Sequence, residues 1–177
     1  MLETLISSKT RVKLLMKFFL NSTTTAYLRS LEEEFGESTN GIRLELNKFE
    51  KAGFIDSFSQ GNKKLFKANT NHPLFKDINS IVLKLSGLNH IIDYIVQRIG
   101  DLHKVYLVGK LANGQNTDII DIVVVGNNIN ISFLIEQIQK AEKKIDKKIR
   151  YVYYTIEEFS VDKIKEPGTH PLLLWSK

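Results

Sequence analysis

The chain has 177 residues, 42% of them hydrophobic and 25% charged, which is room for one large or two small globular domains with real cores. Its 25 Lys and Arg against 20 Asp and Glu give a formal charge of +5 and a pI of about 9.3, a weak tilt toward a polyanionic partner. The lack of cysteine excludes disulfides, thiolate metal sites and cysteine nucleophiles, and no uncharged run of about 18 apolar residues is present to span a membrane, so a soluble, cytoplasmic protein is expected.

From Ser8 onward, Val12, Leu15, Met16 and Phe19 recur at helical spacing, with Ser7 or Ser8 available to cap the first turn. After the polar break Asn21 to Thr24, the residues Tyr27, Leu28, Leu31 and Phe35 mark a second helix, which Gly36 stops. Ser38 and Thr39 can cap a third helix carrying Ile42, Leu44, Leu46, Phe49 and Ala52 as its apolar repeat, and Gly53 ends it. Phe54 to Phe58 and Lys64 to Ala68 have strand character, with Ser59-Gln60-Gly61-Asn62 between them as a turn. Helix, tight turn, helix and Gly-tipped hairpin is the order of a winged helix-turn-helix, which holds one helix in a DNA groove.

The polar, proline-bearing stretch Asn69 to Pro73 reads as a boundary. Helical patterns follow over Leu74 to Leu85 and, past Gly87, over Leu88 to Ile99; both look more apolar than a small reader domain needs and are candidates for dimerisation. The second half changes character, with β-branched runs at Lys104 to Val108, Asp118 to Val125 and Lys148 to Tyr154. An amphipathic helix, Ile131 to Ile145, lies between the last two, with Phe133, Leu134, Ile138, Ala141 and Ile145 as its apolar set. The tail Leu172 to Trp175 is too apolar to hang free and is expected to dock on this domain or on a partner chain. The expected fold is α+β: a winged helix at 1–72, a helical linker at 73–100 and a small α/β domain at 101–177.

On the third helix the outward stripe is Ser38, Thr39, Asn40, Arg43 and Asn47. Arg43 can pair bidentately with guanine, and Asn40 or Asn47 with adenine, each good pair contributing roughly 1 to 3 kcal/mol of discrimination. The wing tip, Asn62, Lys63 and Lys64, brings charge to where a hairpin meets phosphate. Taken singly, Ser38 and Thr39 are ordinary caps and the lysines ordinary turn residues; it is the ordered combination that points to double-stranded DNA. Glu45, Lys48 and Lys51 are read as solvated, and Glu32-Glu33-Glu34 as facing solvent on the side away from DNA.

Ser8-Lys9-Thr10-Arg11, Tyr27-Leu28-Arg29 and the run from Leu46 through Ile55, continuing into Asn69 and His72-Pro73-Leu74-Phe75, resemble ArsR-like winged-helix regulators. The chain is similar in particular to the subgroup that carries a polymerase-beta-type nucleotidyltransferase domain after the winged helix. That resemblance implies a Gly-Ser pair at a helix start for the triphosphate and an Asp-x-Asp on the next strand for metal ions. The matching stretch here is Gly109-Lys110-Leu111-Ala112-Asn113-Gly114, then Asp118-Ile119-Ile120-Asp121. Lys110 replaces the phosphate-binding serine, Asn113 the usual arginine and Ile119 the first aspartate. Asp118 and Asp121, three apart, point to opposite faces of a regular strand and cannot share a metal ion.

No acid marks the later strand until Glu157 and Glu158, which are read as the first turn of a helix after Thr155. Lys110 at a Gly-rich helix start admits a nucleotide effector, but no further phosphate-binding residue supports one, and no cofactor is expected. His72, His90, His103 and His170 show no ligand spacing, and only His103 is expected near Asp118 or Asp121. The lysines at 140, 143, 144, 147 and 148 read as a solvated face. The expected protein is a homodimeric DNA-binding transcriptional regulator with a catalytically inactive nucleotidyltransferase-like domain as sensor or assembly module. An active nucleotidyltransferase and a protein-interaction module that uses the winged helix are the two alternatives.

Overall fold

The computed structural model describes residues 6–96 and 99–177, so positions 97–98 of the helix expected over Leu88 to Ile99 lie outside the described residues. The chain divides into two compact units, Met1–Leu85 and Ser86–Lys177. Together they realise the α+β fold expected, a winged helix-turn-helix followed by a small α/β unit. No helix among the described residues is long and apolar enough to cross a membrane.

In the first unit, α1 (Lys9–Phe19) starts where Ser8 accepts a hydrogen bond from the Arg11 N–H. Its fully buried residues are Leu14, Phe18 and Phe19, while Val12, Leu15 and Met16 are half-buried, so the core face is centred one position away from the expected one. A two-residue strand that the sequence pattern did not reveal, β1 (Ala26–Tyr27), leads directly into α2 (Leu28–Phe35), which Gly36 closes. Ser38 caps α3 (Thr39–Lys51) by accepting from Gly41 N–H at 3.3 Å. The core stripe of α3 is Ile42, Glu45, Leu46 and Phe49, the i, i+3, i+4, i+7 pattern. Leu44 and Ala52, expected on that stripe, are exposed: Leu44, by 62%, because a position two residues after Ile42 falls on the far side of the helix, and Ala52 because it is the C-cap beyond the last turn.

Strands β2 (Ile55–Gln60) and β3 (Lys63–Ala68) form the wing, with Gly61 and Asn62 as a two-residue turn. Gly61 takes φ +60 at the first central position, which only glycine adopts cheaply and which suits the twist of a hairpin. The three-stranded sheet has the order β1-β3-β2, with Ala26 opposite Phe66 and Tyr27 opposite Leu65. Phe54 meets Phe19 and Phe49 edge-on at ring separations of 6.4 and 6.0 Å, and Phe75 at the start of α4 (Phe75–Ser86) packs on Phe19 at 5.7 Å. Asn79 of α4 donates to the Phe19 carbonyl at 2.6 Å.

The second unit begins with α5 (Leu88–Val96) and forms a four-stranded sheet of order β6-β5-β4-β7 from β4 (Asp101–Val108), β5 (Ile119–Asn127), β6 (Lys148–Tyr154) and β7 (Leu172–Ser176). The expected helix Ile131 to Ile145 is α7, bounded by the Asn130 cap and by Asp146 in the left-handed region, and it provides the crossover that the parallel pair β5–β6 requires. A one-turn helix, α6 (Gly109–Ala112), follows β4. On β4 and β5, Val105, Leu107, Ile120, Ile122 and Val124 are buried on the sheet face covered by the helices. Tyr106, Val123 and Val125 on the other face lie under Tyr154, Phe159 and Ile164. The apolar tail docks as expected: β7 pairs antiparallel with β4. The helix expected at Glu157 and Glu158 is instead a single turn in which Glu158 accepts from both the backbone N–H and the hydroxyl of Thr155.

Candidate nucleic-acid interface

The apolar stripe of α3 points its opposite side outward, and that side carries Asn40, Arg43 and Asn47, all exposed. Between α2, α3 and the wing lies a concavity of about 550 Å³. Thr39, Arg43, Asn47, Asn62, Lys63 and Lys64 all line it, which brings six of the eight sequence-selected residues around one depression. Ser38 and Asn40 lie outside the lining, at the N-terminal end of α3, where the Ser38 hydroxyl is engaged as cap.

The two wing lysines are held differently. Lys63 Nζ stands over the Tyr27 ring at 4.4 Å from its centre, a cation–π contact that leaves its N–H groups available. Lys64 Nζ is bound by Glu50 at 2.9 Å and stands 5.0 Å from the centre of the Phe66 ring. A hydrogen bond from Ser57, with Lys64 second, holds the Glu50 carboxyl below its ordinary range. The charge of Lys63 is therefore the more available of the two for an incoming anion.

Sequence reasoning missed Tyr27, Leu28, Arg29, Glu32, Leu46 and Phe66, which also line the concavity. The signal lay in α2: Leu28, Arg29 and Glu32 fall at i, i+1 and i+4 and share one side of a short helix. Glu32 corrects the expectation that the acidic run faces away, since it belongs to the lining that holds Arg43. Glu33 follows the expectation, exposed and paired with Arg29 at 3.8 Å, whereas Glu34 turns inward to Lys17 at 2.6 Å.

Glu45 is likewise not solvated. Its side chain is 10% exposed and accepts from Arg11 Nε at 2.9 Å and Nη2 at 3.2 Å, and from Lys48 at 3.0 Å. The Arg11 hydrogen bonds hold its carboxyl below the ordinary range against the opposing effect of burial. This fork ties α1 to α3 and fixes the rotation of α3 that turns Arg43 outward.

In the second unit, Gly109, Lys110 and Asp121 line a cleft of about 1030 Å³ together with Asn113, Thr117, Arg150 and Thr169. Asp121 Oδ1 accepts from Arg150 Nε at 2.6 Å. The same carboxylate approaches Gly109 so closely that a Cβ there would lie 2.8 Å from Oδ2, at φ +69. Asp118 precedes β5 and lines a different depression with Glu142, Lys143, Asp146, Lys147 and Lys148. Within it Lys147 is half-buried and donates to the Thr117 carbonyl at 2.7 Å; burial lowers its pKa and Asp118 opposes that. This contact corrects the reading of the lysine cluster as a wholly solvated face. His103 is also corrected: Asp121 pairs with Val108 at the far end of β4, while His103 sits at a bulge beside Leu102. Among the described residues no three His, Cys, Asp or Glu side chains gather as a metal site.

No family model and no curated protein matches the chain. Among solved structures, a predicted DNA-binding transcriptional regulator from E. coli is 20% identical over 49% of this chain and 84% of its own, with a TM-score of 0.38. Reduced HlyU from Vibrio cholerae is 11% identical over 49% of this chain and 83% of its own, with a TM-score of 0.38. A protein from Sulfolobus solfataricus named as a nucleotidyltransferase is 22% identical over 56% of this chain and 86% of its own, again at 0.38. Likenesses at that TM-score assign neither a family nor an activity.

Proposed function

We propose that this chain is an ArsR-like DNA-binding transcriptional regulator that acts as a homodimer in the cytoplasm. In this reading α3 enters the major groove, the wing meets the flanking backbone, and the second unit is a nucleotidyltransferase-like fold without catalysis that serves as sensor or assembly module. One observation carries the proposal: Thr39, Arg43 and Asn47 of α3 and Asn62, Lys63 and Lys64 of the wing surround a single concavity. Loss of catalysis is supported by the Arg150 guanidinium, which hydrogen-bonds the Asp121 carboxylate, and by the place of Asp118 in a different depression. Dimerisation draws on α4, whose Ile81 is 49% exposed, and on Leu74 just before it, 50% exposed.

The test is binding of the full chain to duplex DNA selected from a random pool, against unselected DNA, across a salt series. Arg43→Ala is expected to flatten the preference at one base position, a loss of about 1 to 3 kcal/mol. Lys63→Ala is expected to weaken all sequences alike and to reduce the slope of log K on log salt by about 0.9. A pool that yields no enriched sequence, or an Arg43→Ala protein with unchanged preference, sinks the reading. A monomer by light scattering at micromolar concentration, with or without DNA, sinks its dimeric part.

A further inference from the structure

The concavity at the reading face has a more apolar lining than contact with a duplex requires. Tyr27, Leu28, Leu46 and Phe66 belong to it, Leu46 and Phe66 as buried residues, whereas phosphates and base edges need donors and cations. Its volume of about 550 Å³ is that of a small-molecule site, which runs roughly 300 to 1,000 Å³. Four cations border it, Arg29, Arg43, Lys63 and Lys64, against one carboxylate, Glu32; Arg29 is paired with Glu33 and Lys64 with Glu50. Arg43 is exposed and makes no ion pair among the described residues, and Lys63 is held by a ring rather than by an acid. An apolar, partly aromatic lining beside Arg43, which has no ion pair among the described residues, and the ring-held Lys63 fits a flat, hydrophobic body that carries one negative charge.

We infer that this concavity binds a small planar aromatic anion, a carboxylate or sulfonate, with its ring on Leu28, Leu46 and Tyr27 and its charge on Arg43 and Lys63, and that the bound anion keeps DNA off the same face. The exclusion of DNA rests on the DNA-reading function proposed above; the binding of the anion does not. The anion consumes the guanidinium fork that a guanine edge or phosphate would use, so occupancy by the two is mutually exclusive. By linkage, DNA then weakens the anion as much as the anion weakens DNA.

The experiment titrates the full chain with 2-naphthoate by calorimetry, beside its neutral isostere 2-naphthamide. The expected result is saturable 1:1 binding of naphthoate, at least about tenfold weaker binding of the amide, and a loss of about tenfold in Arg43→Ala. Lys140→Ala, which removes a lysine paired with Glu136 on the exposed side of α7, is expected to leave naphthoate affinity unchanged. Equal affinity for acid and amide, no saturation up to millimolar naphthoate, or full retention of affinity in Arg43→Ala overturns the site. A second arm follows fluorescence anisotropy of bound DNA as naphthoate is added. Displacement supports exclusion, whereas naphthoate that saturates the protein and leaves DNA bound overturns it. A chain with no affinity for any DNA but with Arg43-dependent naphthoate binding overturns the DNA reading and the exclusion while the anion site stands.

Discussion

The Arg11–Glu45 fork offers a direct test of how α3 is held. Glu45 is 10% exposed and Arg11 38%, with N–O separations of 2.9 and 3.2 Å. A fully exposed pair contributes about 0.2 to 1 kcal/mol, and breaking a fully buried one costs about 3 to 5 kcal/mol. Arg11 is open enough to be screened, and Lys48 at 3.0 Å remains with the carboxylate when Arg11 is removed, so both features pull the value toward the low end. A double-mutant cycle of Arg11→Ala and Glu45→Ala is therefore expected to give a coupling of about 1 to 2 kcal/mol near neutral pH. Because Glu45 has its folded pKa lowered, its contribution is present above its ordinary value of 4.5 and is lost as pH falls through the folded value. The coupling should shrink in step as the solution is acidified below that ordinary value. Trp175 belongs to the second unit, so urea unfolding of the first is followed through amide NMR peaks of α1 and α3. A coupling below about 0.3 kcal/mol, or one that does not change on acidification, would refute the claim that this ion pair orients the helix.

Gly109→Ala should destabilise the second unit by about 1 to 3 kcal/mol, read by Trp175 fluorescence in urea, because the new Cβ meets the Asp121 carboxylate 2.8 Å away at a positive φ; a neutral change would mean that the loop relaxes freely. Asn79→Ala removes the 2.6 Å hydrogen bond to the Phe19 carbonyl, and a loss of about 1 kcal/mol is expected in the unfolding of the first unit, while no loss would mean that water replaces the amide at no cost. Deleting 172–177 strips β7 from β4 and should leave a second unit that melts at lower temperature and associates through the bared strand, seen as a shift in sedimentation; an unchanged melt would deny β7 a role in the core.

Much of this architecture could be read from local signals. The bounds of α7 and β6 were legible to the residue because a cap, an amphipathic period and a β-branched run all agree there. What escaped depends on distant partners. Strand β1 is two residues long, and its identity comes from pairing with Phe66 and Leu65, some forty positions on. Glu45 stands at the correct spacing for a core position, but its charge concealed that, because its partner Arg11 belongs to another helix. Leu44 was drawn into the core by its hydrophobicity although its position on the helix forbids it. At the candidate interface the outward residues of α3 were legible from helical phase, whereas Tyr27, Glu32 and Phe66 enter only once the sheet folds α2 against the wing.

That two-residue strand also has a mechanical consequence. Tyr27 is at once the residue before α2, a register partner of β3 and the ring beneath Lys63. The hairpin is thus fastened to α2 through Tyr27 as well as to α3 through Glu50, which holds Ser57 and Lys64. A load on the wing tip is therefore expected to reach α2 through β3 and β1 and α3 through Glu50. A bulkier side chain at the buried Ala26 is expected to disturb its pairing with Phe66 and, through Tyr27, the seat of Lys63.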